Sequence, residues 1–275
     1  MSKAATILGL IIGLIVLLLS MVDYDKGRII GAFFNLQALG VVLGGTLAAV
    51  MVNYPFSQVA CILWGIWRVL SQEPPTPEGV IEQAVSLAHH VKRGGLLSLE
   101  RHLDEVDDPF FRSALAEALI YKDEQALRQV LETRMKAQML RQMLCQDVFN
   151  TMAAYAPAFG MMGTVMGLII MMTTQGGEQA VSAYGAEEAQ NMISSLMTGM
   201  GLALVTTFYG VLLANLIFMP VAGKLKILAE AEGFKDQMVI EAVLALWRQE
   251  GPLMVKAHLL AFVDERLQAQ LEALH

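Results

Sequence analysis

No aspartate, glutamate, lysine, arginine or histidine interrupts any of the four apolar runs in this 275-residue sequence. The runs cover 4–22, 29–52, 148–172 and 193–220. A helix needs about 20 residues to cross a bilayer, so each run is long enough to span. Charge is scarce throughout: 16% of residues are charged against 55% hydrophobic, and the mean hydropathy is +0.51. Soluble domains carry roughly 25% charged residues, so this balance belongs to a membrane protein. A basic stripe is also missing. The net charge of -7 is spread along the chain, which excludes a nucleic-acid partner, because phosphate recognition needs clustered cations. Cys61 and Cys145 are the only cysteines. They stand far apart in segments read as cytoplasmic, so neither a disulfide nor a metal site is expected. Phosphate loops, metal boxes and nucleophile elbows are absent as well. His89-His90 has no acid or nucleophile pattern nearby, so no enzymatic activity and no cofactor are expected.

Cations are missing from one further place. The loop between the third and fourth runs has no Lys or Arg, only Glu178, Glu187 and Glu188. Ten Lys and Arg residues lie between the second and third runs, and six follow the fourth. Positive charge stays on the cytoplasmic side. Both termini and the large middle segment are therefore expected in the cytoplasm of a bacterial inner-membrane protein. The first run is followed by Asp23 and Asp25, not by a small-residue cleavage site, and reads as a retained span.

What is present is helical pattern. Pro74, Pro75 and Pro77 break the chain after the second run, and Ile81, Ala84, Val85, Ala88 and Val91 then recur at helical spacing until Gly94-Gly95. Asp108-Pro109 reads as an N-cap with proline in the first turn of a helix through Ile120. Asp123 can cap a helix that meets no Gly or Pro before Pro157 and so enters the third run unbroken. Leu260, Val263, Leu267, Leu271 and Leu274 give the tail one apolar face. No strand pattern is visible. The expected fold is an all-α membrane protein with four transmembrane helices, a helical cytoplasmic domain between spans two and three, and a cytoplasmic C-terminal helix. In segments, these are spans one and two in 1–53, the cytoplasmic domain in 54–147, spans three and four in 148–220, and the tail in 221–275.

Ion-conducting machines usually keep an ionisable residue inside the membrane. If this protein carries ions, a different chain must supply that residue, and this one can offer only hydroxyls, carbonyls and a cavity. Gly160, Thr164 and Gly167 share one face of the third run. Gly199, Ala203, Thr207, Gly210 and Ala214 share a face of the fourth, with Thr206 and Tyr209 close by. Read from spacing alone, these faces are either a pathway lining or helix-packing seams with threonines bonded to their own helix. Pro157 reads as a kink near the membrane entrance.

Three stretches carry a resemblance. "YAPAFGMMGTVMGLIIMM" at 155–172 resembles the third span of the MotA/PomA stator family, in the group that includes TolQ and ExbB. "GLALVTTFYGVLLANLIFMPVAGKL" at 201–225 is similar to the fourth span, and "VVLGGTLAAVMVNYP" at 41–55 to the second. The resemblance implies a subunit of an ion-driven rotary motor, with five copies around two copies of a MotB/PomB-like partner. That partner has a single span with a membrane aspartate and a peptidoglycan-binding domain. By this resemblance Thr164 and Thr207, with the adjacent Thr206, stand beside the ion pathway. Gly160, Gly167, Ala203 and Gly210 are the small residues facing it, and Pro157 and Pro220 match the family's conformational prolines. "VKRGGLLSLER" at 91–101 resembles the segment that engages the rotor protein FliG, placing Lys92, Arg93 and Glu100 in that role. Arg101 stands where relatives often carry a second acid, which implies altered rotor contacts.

The leading expectation is a flagellar stator subunit that turns ion flow into torque. The alternative is a non-flagellar force generator for envelope, gliding or defence processes, and a scaffold without ion flux is a third reading. Four spans favour the MotA branch over the three typical of TolQ and ExbB. The transported ion stays open between proton and sodium, and the only metal in view is sodium at Thr164 and Thr207. The stretch 173–190 reads as a longer periplasmic loop of undecided role.

Overall fold

The computed structural model describes residues 2–23, 28–29, 33–71, 73, 75–176, 186–263 and 268, and these are nearly all helical. Helix α1 is Ser2–Ser20. Two-residue strands β1 (Val22–Asp23) and β2 (Arg28–Ile29) pair antiparallel, with Val22 opposite Ile29. This ribbon corrects the expectation of no strand, and its β-branched Val22–Ile29 pair is suited to a pleated pairing. Helix α2 (Leu36–Asn53) begins seven residues after the apolar run does, because the Asn35 side chain accepts from the Gln37 and Ala38 amides and caps it there. A short α3 (Phe56–Val59) leads into α4 (Cys61–Ser71).

Beyond it, α5 (Pro77–Gly94) ends at Gly95, whose φ of 71° suits glycine and whose amide closes on the Val91 carbonyl. A 3₁₀ segment, Leu96–Glu105, precedes α6 (Pro109–Ile120), capped by Asp108 as the sequence predicts. Helix α7 (Glu124–Gly176) runs unbroken for 53 residues with Pro157 inside it, and Asp123 accepts from the Ala126 amide at its start. Helix α8 (Ala186–Leu212) passes through a π-helical turn, Leu213–Phe218, into α9 (Met219–Trp247). The last described helix is α10 (Pro252–Leu260). Within the tail face, Leu267, Leu271 and Leu274 lie outside the described residues, as does Glu178 with the rest of 177–185.

Among the described residues, three helices are long and apolar enough to cross a membrane: Leu36–Asn53, Glu124–Thr173 and Leu196–Trp247. Helix α1 adds a shorter apolar stretch, Leu8–Ser20. The chain forms two compact units, one from 1–72 and 144–226 and the other from 73–143 and 227–275. The second unit is a helical core built on Phe111, Leu115, Leu127, Leu131, Leu244 and Val255, all fully buried. In the first unit Val148, Phe149, Met152 and Ala156 of α7 pack with Leu213, Ala214 and Phe218.

The cysteine expectation is overturned. Cys61 and Cys145 are joined in a disulfide, with α-carbons 5.9 Å apart across 84 residues of chain. Separation in sequence says little once α4 lies along α7. Phe149 sits where a Gly65 side chain would be, 2.8 Å from that missing Cβ, so glycine is what lets the helices approach.

Candidate functional site

The site grows out of the contact between α7 and α8. A Cβ on Gly160 would lie 3.0 Å from the Thr206 carbonyl and 3.3 Å from the α-carbons of Thr207 and Gly210. On Gly210 it would meet the Ala156 carbonyl at 2.7 Å and the Pro157 α-carbon at 3.2 Å. Gly167 and Gly199 press on each other in the same way, with Ala203 between. Small residues bring two backbones within contact, as membrane helices without a hydrophobic driving force require. Gly160, Gly167, Ala203 and Gly210 are all buried in this seam.

The hydroxyls divide by position. Thr206 is fully buried and turned toward Gly163, where a Cβ would fall 2.5 Å from its own. Its Oγ1 donates to the Ala203 carbonyl at 2.8 Å. Thr207 donates to the same carbonyl at 3.4 Å, and Thr164 to the Met161 carbonyl at 2.6 Å. Each hydroxyl therefore bonds its own helix, and no hydrogen bond joins Thr164 to Thr207. Both are half-buried. Thr207 also lines a cavity of about 430 Å³ with Leu17, Phe208, Val211, Leu212, Asn215 and Leu216. Pro157 is half-buried in α7 and Pro220 is exposed in α9.

Two residues belong with this group that the sequence reading did not single out as site residues or did not tie in. Asn215 is the one amide side chain of the fourth run, eight residues after Thr207 and lining the same cavity; its Nδ2 donates to the Val211 carbonyl at 2.9 Å. A lone amide in a membrane helix is the signal that could have found it. Tyr209 donates its hydroxyl to the Phe33 carbonyl and accepts from the Asn35 amide at 3.4 Å. It thus ties α8 to the capped start of α2, a contact no spacing rule announces.

Lys92 and Arg93 at the end of α5, and Glu100 and Arg101 in the 3₁₀ segment, are all exposed. Among the described residues none of them forms a salt bridge. The neighbouring His90 and His102 rings stack at 4.1 Å, and His102 Nδ1 lies 3.0 Å from Glu105. Deeper in the same unit, Asp108 pairs with Lys235, and Lys235 lies 3.4 Å from the buried Asp236. Gln138 donates to Asp236 at 3.3 Å. The Asp236 carboxyl is pushed up to about 6, chiefly by burial, with Lys235 opposing the rise and the Asp108 and Glu232 charges adding to it. Burial alone would pull Lys235 down, but Asp108 and Asp236 outweigh it and hold it above its ordinary value.

Comparison with known proteins places this geometry. The model of the MotA/TolQ/ExbB proton channel family matches the chain over residues 102–235. Motility protein A of Treponema phagedenis is 32% identical over 241 residues, covering 88% of this chain and 87% of its own. Chemotaxis protein PomA of Vibrio alginolyticus is 26% identical over 265 residues, covering 96% and 97%. The chain belongs to the MotA/PomA family of flagellar stator subunits. Its fold matches that of the flagellar MotAB stator complex from Bacillus subtilis, with a TM-score of 0.78 at 23% identity over 96% of this chain and 98% of that one.

Proposed function

We propose that the chain works as the channel-forming subunit of a flagellar stator, crossing the inner membrane four times with both termini in the cytoplasm. Five copies surround two copies of a MotB/PomB-like partner whose single span brings the aspartate and whose outer domain binds peptidoglycan. The observation that carries this reading is the seam between α7 and α8. It offers threonine hydroxyls and a cavity beside Thr207, while the apolar runs hold no carboxylate of their own. A proton or sodium ion released from the partner's aspartate would pass Thr164 and Thr207, with Thr206 holding the seam closed behind them. Pro157 and Pro220 allow α7 and the α8–α9 helix to bend as the ion moves. Lys92, Arg93, Glu100 and Arg101, exposed and without a salt bridge among the described residues, are the contact with the rotor protein FliG. The chemistry asks for no cofactor beyond the transported ion.

Ion flux into vesicles tests the division of labour. Vesicles holding this chain alone should take up neither protons nor sodium, and vesicles holding it with the single-span partner should take up one of them. Flux through the chain alone would contradict the assignment of the carboxylate to the partner.

A further inference from the structure

The chain has two cysteines and the fold brings them together. Their α-carbons, 5.9 Å apart, lie within the usual disulfide range of about 4.4–6.8 Å. The approach is fixed by packing and not by the bond alone. Gly65 stands four residues after Cys61 on α4, and Phe149 four residues after Cys145 on α7. Phe149 fills the space that Gly65 leaves, so the two helices meet at two successive turns. Cys145 is 4% exposed, and its sulfur lies 3.3 Å from the Cys61 carbonyl, where a reduced thiol can donate. Cys61 is half-buried, the more open residue of the two. The segment between the two cysteines contains 73–143, one of the two stretches that make up the second unit. Both cysteines belong to the first unit, Cys145 at the start of its second stretch and Cys61 within its first.

We propose that Cys61 and Cys145 form a redox-modification site: a dithiol in the reduced cytoplasm that closes to a disulfide under oxidation and fastens α4 to α7. The cytoplasmic placement rests on the topology proposed above. Proteins of that compartment keep their thiols reduced, and disulfides there are transient or redox-sensing. The oxidant is a small-molecule disulfide of the glutathione class. The Cys61 thiolate attacks one of its sulfurs and expels one thiol, leaving a mixed disulfide. The Cys145 thiolate then attacks Cys61 Sγ, forms the protein disulfide and expels the second thiol. Two protein thiols are oxidised and one small disulfide is reduced to two thiols. Because α4 carries the chain away from span two and α7 leads it into span three, the bond locks these two helices together and slows the motor.

The test uses the full complex in membranes, with oxidised glutathione as the probe. After denaturation, reduced protein should take a maleimide label on both cysteines, oxidised protein on neither, and dithiothreitol should restore both. Labels that persist after oxidation, or a disulfide that links two chains, would overturn the proposal. So would protein from unstressed cells that arrives already closed. Motor speed should fall on oxidation, recover on reduction, and stay constant in Cys61→Ser; equal slowing in Cys61→Ser would assign the effect to another target. Topology is read separately with a membrane-impermeant maleimide. Labelling of Cys61 in inverted vesicles and not in spheroplasts supports the cytoplasmic placement, and the reverse refutes it whatever the oxidant does.

Discussion

At the residue scale the account turns on small differences between neighbours. Thr206 and Thr207 are adjacent, yet one is sealed into the helix seam and the other borders a cavity. Thr207→Ala should therefore reduce torque while the complex still assembles, measured as tethered-cell speed beside the yield of intact complex; wild-type torque would remove Thr207 from the ion path. Gly210→Val should act in the opposite order. Its Cβ would meet the Ala156 carbonyl, a backbone atom that cannot swing away. Overpacking of this kind costs about 1–3 kcal/mol, so the variant should lose thermal stability in detergent before any effect on flux is read. The small-residue faces that bring α7 and α8 together were legible from spacing in the sequence. Which side of the helix each hydroxyl would take was not, because positions 206 and 207 differ by a rotation of about 100° that only the partner helix resolves.

Among the elements, the unbroken α7, the Asp108 and Asp123 caps and the stop at Gly95 follow from local signals of one turn each. The β1–β2 ribbon, the late start of α2 at its Asn35 cap and the nearness of α4 to α7 do not. They depend on pairings across the chain that no window of sequence contains. Helix α7 is held to α9 by Arg128, which makes two hydrogen bonds to Glu241, at 2.8 and 3.0 Å. Both side chains are about a third exposed, and partly exposed pairs of this kind are worth up to about 1 kcal/mol. Arg128→Ala should lower the melting temperature slightly and leave rotor binding unchanged. A collapse of the second unit would mean that the pair does more than its exposure allows.

For the whole molecule, the second unit carries a pH dependence through Asp236. Its carboxyl titrates at about 6 in the folded protein, above its ordinary 3.8. Folding therefore favours the protonated form, and this group's contribution is fullest below pH 3.8 and is lost as pH rises through 6. Asp236→Asn should flatten the stability change between pH 5 and 7 by an amount on the order of 1–2 kcal/mol, read from thermal melting. If the wild type and the variant melt in parallel across that window, the burial of Asp236 has no energetic consequence. The site as a whole was half legible. The absence of a carboxylate from four apolar runs pointed to a partner, while the Lys235–Asp108 and Tyr209–Phe33 contacts join residues more than a hundred positions apart. The central claim is that this subunit turns ion flow into rotation, and it is met most directly in tethered cells lacking their own stators. Supplied with this chain and its single-span partner, they should rotate, in sodium-free buffer if protons drive the motor or only with sodium if sodium does, and stop when the gradient is collapsed. An assembled complex in the membrane with no rotation in either buffer would contradict the account and leave a force generator that does not drive flagella.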